Sequence, residues 1–345
     1  MGISLKIGIV GAGVAGAYLA CRLSSRYKVE VFDKKEKDEL GHDCAWLFHY
    51  SDLLNYCQKC KLNPVHYLDH VGKSFDFFGV PVKIKDLITF NKHQFLIDLL
   101  KKVETIHFES KICRNDLEGF DLVIDATGSS RNILPPPRNK LKQNWFIPCY
   151  QLEVESHDLP HDFYVHPAGI GFLWVFPRTG NITRIGCGSF TVNPKMEVED
   201  YLANKNYEIL RICSGTIRVV PPSKSKPFFF AGQPKIVGVG SCIGTVSPLT
   251  GEGIRGAFIC SDLFLEALES NLNLYEQVVL EKFNQVDREF RFLEALRYHT
   301  LKAFWRLFKT PSPFGLKISK LDALRMLFGK NHLKNLQETL SDIQF

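Results

Sequence analysis

Three glycines spaced by two and three residues, Gly11-Ala-Gly13-Val-Ala-Gly16, allow what bulkier residues would prevent, the close approach of backbone N–H groups to a phosphate. Gly11 permits a tight turn, Gly13 lets the main chain reach a pyrophosphate, and Gly16 allows a helix to pack closely on the preceding strand. The first N–H groups of that helix lack intrahelical partners and favour an anion. Asp33 lies about 20 residues further on, where an acidic side chain reaches a ribose hydroxyl. The chemistry indicated is dinucleotide binding.

Such a cradle needs a strand before it, a helix after it and a second strand ending at the acid. The sequence supplies all three: an apolar run at Leu5–Val10, helical periodicity over Val14–Leu23, and a β-branched and aromatic run at Lys28–Phe32. NAD and FAD share this fingerprint, and two further segments favour FAD. Asp121-Leu-Val-Ile-Asp-Ala-Thr-Gly128 reads as a buried strand entering a small-residue turn. Ser247-Pro-Leu-Thr-Gly-Glu-Gly-Ile254 places glycines at a helix start, where backbone donors and the positive dipole end suit an anionic reduced isoalloxazine.

Between these landmarks the pattern predicts helices over Asp52–Leu62, Asn91–Val103 and Glu252–Glu269. Strands are expected at Thr105–Phe108, Asp121–Asp125 and Lys235–Val239. After Pro135-Pro136-Pro137 the character changes, and Trp145–Glu155, Phe163–His166, Gly171–Phe176 and Arg184–Phe190 read as consecutive strands of an antiparallel sheet. The fold class expected is α/β (α+β): a discontinuous Rossmann-type domain (1–135 and 221–270), an inserted antiparallel-sheet substrate domain (136–220), and a helical C-terminal region (271–345).

Hydrophobic residues are 45% and charged residues 23% of the 345, a balance that excludes disorder. No uncharged apolar stretch reaches the about 18 residues of a membrane span. The start lacks a basic segment followed by an apolar stretch and a small-residue cleavage site, which predicts the cytoplasm. Ten scattered cysteines argue against a disulfide framework, and Cys57-Gln-Lys-Cys60, the single close pair, reads as two buried thiols rather than a metal site. The net charge of +6 is uneven: Ala295 to Gln337 carries nine Lys/Arg and one acid, Asp322. With Leu301, Phe304, Trp305, Leu307 and Phe308 interleaved, this tail reads as a solvated basic face over an apolar packing stripe, or as a helix lying on an anionic membrane surface. No nucleic-acid motif accompanies the charge.

The glycine-rich start, Ala126-Thr127-Gly128 and Pro248-Leu-Thr-Gly-Glu-Gly-Ile254 together resemble the p-hydroxybenzoate hydroxylase-like flavoproteins, and within them the FAD-dependent geranylgeranyl reductase family, the archaeal digeranylgeranylglycerophospholipid reductases included. Phe172-Leu-Trp174-Val-Phe176-Pro177 is similar to the aromatic-x-Trp-x-Phe-Pro signature of those reductases. The resemblance covers roughly Leu5 to Leu268. It implies that Gly11, Gly13, Gly16 and Asp33 hold the adenosine half of FAD, that Ala126, Thr127 and Gly128 lie beside it, and that Thr250, Gly251, Glu252, Gly253 and Ile254 face the flavin ring. It assigns Phe172, Trp174 and Phe176 to an isoprenoid cavity, where aromatic faces bury large area at little rotamer cost. Without that context Trp174 and Phe176 would read as ordinary core.

Three positions depart from the family pattern. Ser241, in Gly240-Ser241-Cys242, stands where an Asp usually binds the ribityl chain, and its hydroxyl makes a weaker hydrogen bond than a carboxylate. Lys92 stands where arginine is common and lacks the planar fork. Cys44 falls near the family's Cys-Gly pair after the second strand, with Ala45 replacing the glycine. The implied activity is saturation of isoprenoid double bonds of lipids, with a hydride from reduced flavin reaching one alkene carbon and a proton, from Cys44 or water, the other; His49 and Tyr50 read as structural. No second glycine fingerprint follows a strand, so electrons are expected from an external donor such as a ferredoxin or a reduced deazaflavin. A flavin monooxygenase of aromatic substrates and a non-catalytic flavin or lipid carrier are the rival readings.

Overall fold

The computed structural model describes residues 5–138 and 144–298. Along the chain, β1 (Lys6–Val10) leads to α1 (Val14–Leu23) and β2 (Lys28–Phe32); β3 (Leu47–His49) and α2 (Tyr50–Lys59) follow. Four short strands come next: β4 (Leu68–Val71), β5 (Ser74–Phe77), β6 (Val80–Lys83) and β7 (Leu87–Phe90). Then α3 (Lys92–Leu100), β8 (Thr105–His107) and β9 (Leu122–Asp125) complete the first stretch. The middle of the chain holds β10 (Phe146–Glu155), β11 (Phe163–Pro167), β12 (Gly171–Pro177), β13 (Ile182–Ser189), α4 (Pro194–Leu202) and β14 (Glu208–Arg218). The return consists of β15 (Phe229–Phe230), β16 (Lys235–Gly238), α5 (Ile254–Glu269), α6 (Tyr275–Lys282) and α7 (Asn284–Tyr298).

The first sheet has the order β15-β16-β9-β1-β2-β8 and is parallel apart from β15. Its central strands are apolar because both faces are covered: Ile7, Ile9, Val31, Val123 and Ile124 are fully buried. Packing α1 between α3 and α5 puts its first turn at the carboxyl edge of β1, the usual ligand crevice of such sheets. The expected βαβ unit, β9 and β16 are all present.

The second sheet has the order β14-β10-β13-β12-β11-β5-β6. α4 covers its outer face over β10 and β13, and its inner face looks towards the first sheet's crevice. The hairpin β5–β6 corrects the expected domain boundary: residues 74–83 lie within the segment assigned to the Rossmann domain, yet β5 pairs in parallel with β11 of the second sheet. Four-residue strands whose partner lies almost ninety positions away carry little local signal. A small third sheet, β3-β7-β4, was likewise not expected. Cys57 and Cys60 are buried thiols. In the C-terminal region α6 and α7 are helical, whereas most of the basic tail, from residue 299, lies outside the described residues. Among the described residues no helix is long and apolar enough to cross a membrane.

Candidate functional site

The β1–α1 loop turns at Gly11, whose φ of +100° strains any side chain, and a Cβ there would stand 2.3 Å from the Ala126 carbonyl oxygen. A Cβ at Gly16 would meet the Gly11 carbonyl at 1.8 Å, so α1 rests directly on the loop. Gly13 differs: nothing lies within 4 Å of where its Cβ would be, and it opens on a cavity of about 1000 Å³. α1 starts there without a side-chain cap, so its first-turn donors are left for a ligand.

Asp33 is nearly buried. Its Oδ2 accepts from Ala12 N at 2.6 Å and its Oδ1 from Lys35 N at 2.8 Å. Each oxygen keeps a second lone pair, so the carboxylate fixes the glycine loop and can still accept from a ribose hydroxyl. Ala126, Thr127 and Gly128 close the opposite wall. Beneath them Asp125, fully buried, accepts from the N–H groups of Thr127 (3.0 Å), Ile133 (3.0 Å) and Leu134 (2.7 Å) and from Thr127 Oγ1 (2.6 Å). The Cys242 thiol donates to Asp125 O at 2.9 Å, tying this turn to the one bearing Ser241. Ser241 lines the cavity, and a Cβ on Gly253 would lie 3.6 Å from its Oγ.

Thr250 to Ile254 form the far end of the same cavity. Gly251 takes a φ of +69°, Ser247 N and Glu252 O meet at 3.0 Å, and α5 begins at Gly253 with no side-chain cap. α7 secures this loop: Ser247 Oγ donates to Glu289 Oε2 at 2.6 Å, and burial pushes the Glu289 carboxyl up. Burial also pushes up Glu252.

Lys92 is buried at the cavity wall with its Nζ 4.0 Å from Asp43 Oδ1, while Lys35 Nζ sits 2.8 Å from Asp43 Oδ2. Burial opposes the charge of Asp43, but the two lysines outweigh it and hold the carboxyl down at about 2. Cys44 follows on the same loop; its Sγ accepts from Trp46 N at 3.5 Å. Cys149 and Cys213, which sequence patterns did not single out, line the same cavity, and burial pushes the Cys149 thiol up to about 12.

On β12 the strand period of two sends Phe172, Trp174 and Phe176 to the inner face and Leu173 and Val175 to the core under α4. The Trp174 indole lies over Gly186, where a Cβ would meet Cζ2 at 2.3 Å, and its Nε1 donates to Gln151 Oε1 at 3.2 Å. Phe176 sits deeper, edge-on to Phe163 at 5.7 Å and Phe75 at 6.2 Å. The apolar wall runs on past Ile147, Phe190 and Ile217 to Phe292, Leu293 and Leu296 of α7. Thus sixteen of the expected positions, from Gly11 through Trp174 to Ile254, and Cys44 with them, line one cavity; Gly16 stands behind it as packing.

His42, on the Cys44 loop, gives a pH dependence. Burial first, then Arg211 and Arg184, push its imidazole down to about 4 from 6.5. The unfolded chain takes up a proton that the folded chain resists, so this contribution is absent from the slope above about pH 7, destabilises progressively as pH falls from about 6.5 to about 4, and levels off below. Urea midpoints of the wild type and His42→Gln measured across that range are expected to converge towards acid; parallel curves would contradict the assignment.

Comparison with known proteins follows the same lines. The family model for an NAD(P)-binding Rossmann-like domain matches residues 9–45. The digeranylgeranylglycerophospholipid reductases of Thermoplasma acidophilum and Thermoplasma volcanium are each 26% identical over 169 residues, 42% of this chain and 41% of theirs. The matched region therefore spans about two fifths of these curated relatives. Among solved structures, a geranylgeranyl bacteriochlorophyll reductase-like protein from Thermoplasma acidophilum superposes with a TM-score of 0.71 at 18% identity, over 97% of this chain and 99% of that one. A probable FAD-dependent monooxygenase from Pseudomonas aeruginosa gives a TM-score of 0.57 at 14% identity, over 89% and 100%. The fold is thus the one shared by these reductases and oxygenases, and the resemblance read from the sequence is the one the comparisons return.

Proposed function

We propose that this chain is an FAD-dependent oxidoreductase that saturates isoprenoid double bonds of a lipid. One observation carries the reading: the glycine cradle, the α5 amino end and an aromatic, largely apolar wall belong to a single continuous cavity. A dinucleotide and a greasy substrate can therefore meet without crossing solvent. The cradle fits FAD, since the space a Cβ would fill at Gly13 is open while Gly11 and Gly16 are closed against protein.

When bound, reduced FAD supplies the hydride that adds to one alkene carbon. The chain's residues do the rest. The α1 amino end and the Gly11–Gly13 backbone bind the pyrophosphate, Asp33 accepts from a ribose, and Ser241 hydrogen-bonds the ribityl chain in place of a carboxylate. Lys92 adds positive charge beside Asp43. The α5 amino end and the Thr250–Ile254 backbone stabilise negative charge at the ring. Phe172 and Trp174, with the α7 side chains, exclude water and orient the prenyl chain. The Cys44 thiol holds the proton destined for the second alkene carbon. Electrons come from an external donor, a ferredoxin or a reduced deazaflavin, and the basic C-terminal segment docks that donor or an anionic membrane face from the cytoplasmic side.

The test uses FAD-loaded protein reduced with dithionite and incubated with geranylgeranyl lipids differing in head group. Mass spectrometry is expected to show products heavier by whole numbers of added H2. Unchanged lipid, together with NADPH oxidation strongly stimulated by an aromatic acid, would favour the monooxygenase that the fold also accommodates. A yellow protein showing neither activity would point to a non-catalytic carrier.

A further inference from the structure

The loop bearing Cys44 is gripped from the second sheet by Arg184 and Gln151. Arg184 on β13 is fully buried, yet its guanidinium does not simply neutralise a neighbour. Its Nε and Nη2 face Glu153 Oε2 on β10 at 2.7 and 2.6 Å, and its Nη1 donates forward to the carbonyl oxygens of Cys44 at 2.5 Å and His42 at 3.2 Å. Register makes this possible, because Glu153 pairs with Arg184 across β10 and β13. Gln151, two residues earlier and so on the same face, donates its amide to the same Cys44 carbonyl at 3.5 Å while its Oε1 accepts from the Trp174 indole. Gly186 stands between Gln151 and Trp174 in the ladder and leaves the space for that contact.

The loop itself is held in an uncommon conformation. Trp46 has a φ of +64°, a left-handed value that a bulky side chain adopts only when its surroundings impose it. Its Nε1 donates to Gly41 O at 2.8 Å, and the Arg184 and Arg178 guanidinium carbons stand 3.4 and 4.3 Å from its ring centroid. Through this turn the Trp46 N–H meets Cys44 Sγ. Arg178 in turn bonds Glu153 and Asp69, so the clamp is anchored on both β10 and β4.

We propose that Arg184 and Gln151 are positioning residues that fix Cys44 Sγ in the cavity by holding the Cys44 carbonyl from the substrate sheet, with Gln151 linking that position to the indole the substrate packs against. The inference deepens the function proposed above and rests on Cys44 serving that site. A guanidinium fork is needed because one group must face Glu153 and Cys44 together, which an ammonium cannot do in the same geometry.

The test reads the thiol directly rather than turnover. FAD-loaded full-length wild type, Arg184→Lys and Gln151→Met are treated with iodoacetamide, and the alkylation rates of Cys44, Cys149 and Cys187 are followed by peptide mass spectrometry. Cys149 shares the cavity and Cys187 lies on the sheet's other face. Release of the carbonyl is expected to raise the Cys44 rate about tenfold in both variants, with the other two unchanged. In lipid turnover the expected accompaniment in Arg184→Lys, which leaves the Gln151–Trp174 contact in place, is a fall in kcat at unchanged KM. Equal acceleration of all three thiols would reveal a merely structural clamp, and an unchanged Cys44 rate in the near-isosteric Gln151→Met, which should fold even where Arg184→Lys does not, would also overturn the proposal. Because alkylation needs no lipid, a selective Cys44 response with no reductase activity would leave the positioning intact and fault the substrate reading alone.

Discussion

Gly16→Ala is expected to give a folded protein that binds FAD far more weakly than the wild type. A methyl at that position would lie 1.8 Å from the Gly11 carbonyl oxygen, and because the obstacle is main chain, no rotamer change relieves it. α1 must move away from the loop whose N–H groups form the phosphate cradle. Overpacking of this kind costs about 3 kcal/mol, and expressed in the cradle that is about a hundredfold in the Kd for FAD. Gly13→Ala is the informative companion. Its methyl would meet no protein atom, so denaturant midpoints of the apoprotein should match the wild type while FAD binding is lost to direct obstruction of the ligand. Equal FAD affinity in all three proteins would mean that the cradle is not the cofactor site.

The second large effect is on stability. Asp125 is fully buried and its side chain accepts three backbone N–H groups and one hydroxyl. Asp125→Ala leaves the N–H groups of Ile133 and Leu134 with no acceptor there, at about 1–3 kcal/mol for each buried donor left unpaired. A loss on the order of 3 kcal/mol or more is expected in urea unfolding, together with weaker FAD binding, since the same carboxylate shapes the Ala126–Gly128 turn. A loss below about 1 kcal/mol would show that water replaces the carboxylate at little cost.

How much of this was legible beforehand differs from element to element. The α1 and β2 boundaries could be read because each segment announces itself locally: glycines at fixed offsets, a helical period, then a β-branched run closed by Asp33. Phe172, Trp174 and Phe176 were recognisable through the aromatic-x-Trp-x-Phe-Pro signature they share with the reductases, since their alternation by itself reads only as a strand with one face in the core. The β5–β6 hairpin was not, because Ser74–Phe77 acquires its role only by pairing with β11 far along the chain. Asp125 left a signal that could have been used, an acid ending an apolar strand just before a small-residue turn. Arg184 and Gln151 left none, for their significance lies in contacts with a loop more than a hundred residues away, and Glu153 matters only through the arginine it faces. The part of α7 in the cavity wall is of the same kind: Phe292 and Leu296 look like any apolar helix stripe until Leu249 and the flavin loop are placed beside them.

The functional reading depends on FAD occupying the crevice between Gly13 and the start of α5. Titration of the wild-type apoprotein with FAD, followed by quenching of flavin fluorescence and by the visible spectrum, tests this most directly. Saturation at one equivalent, with Gly16→Ala failing to quench over the same range, is the predicted result. A wild-type protein that stays colourless and leaves the fluorescence of added FAD unchanged would contradict the account.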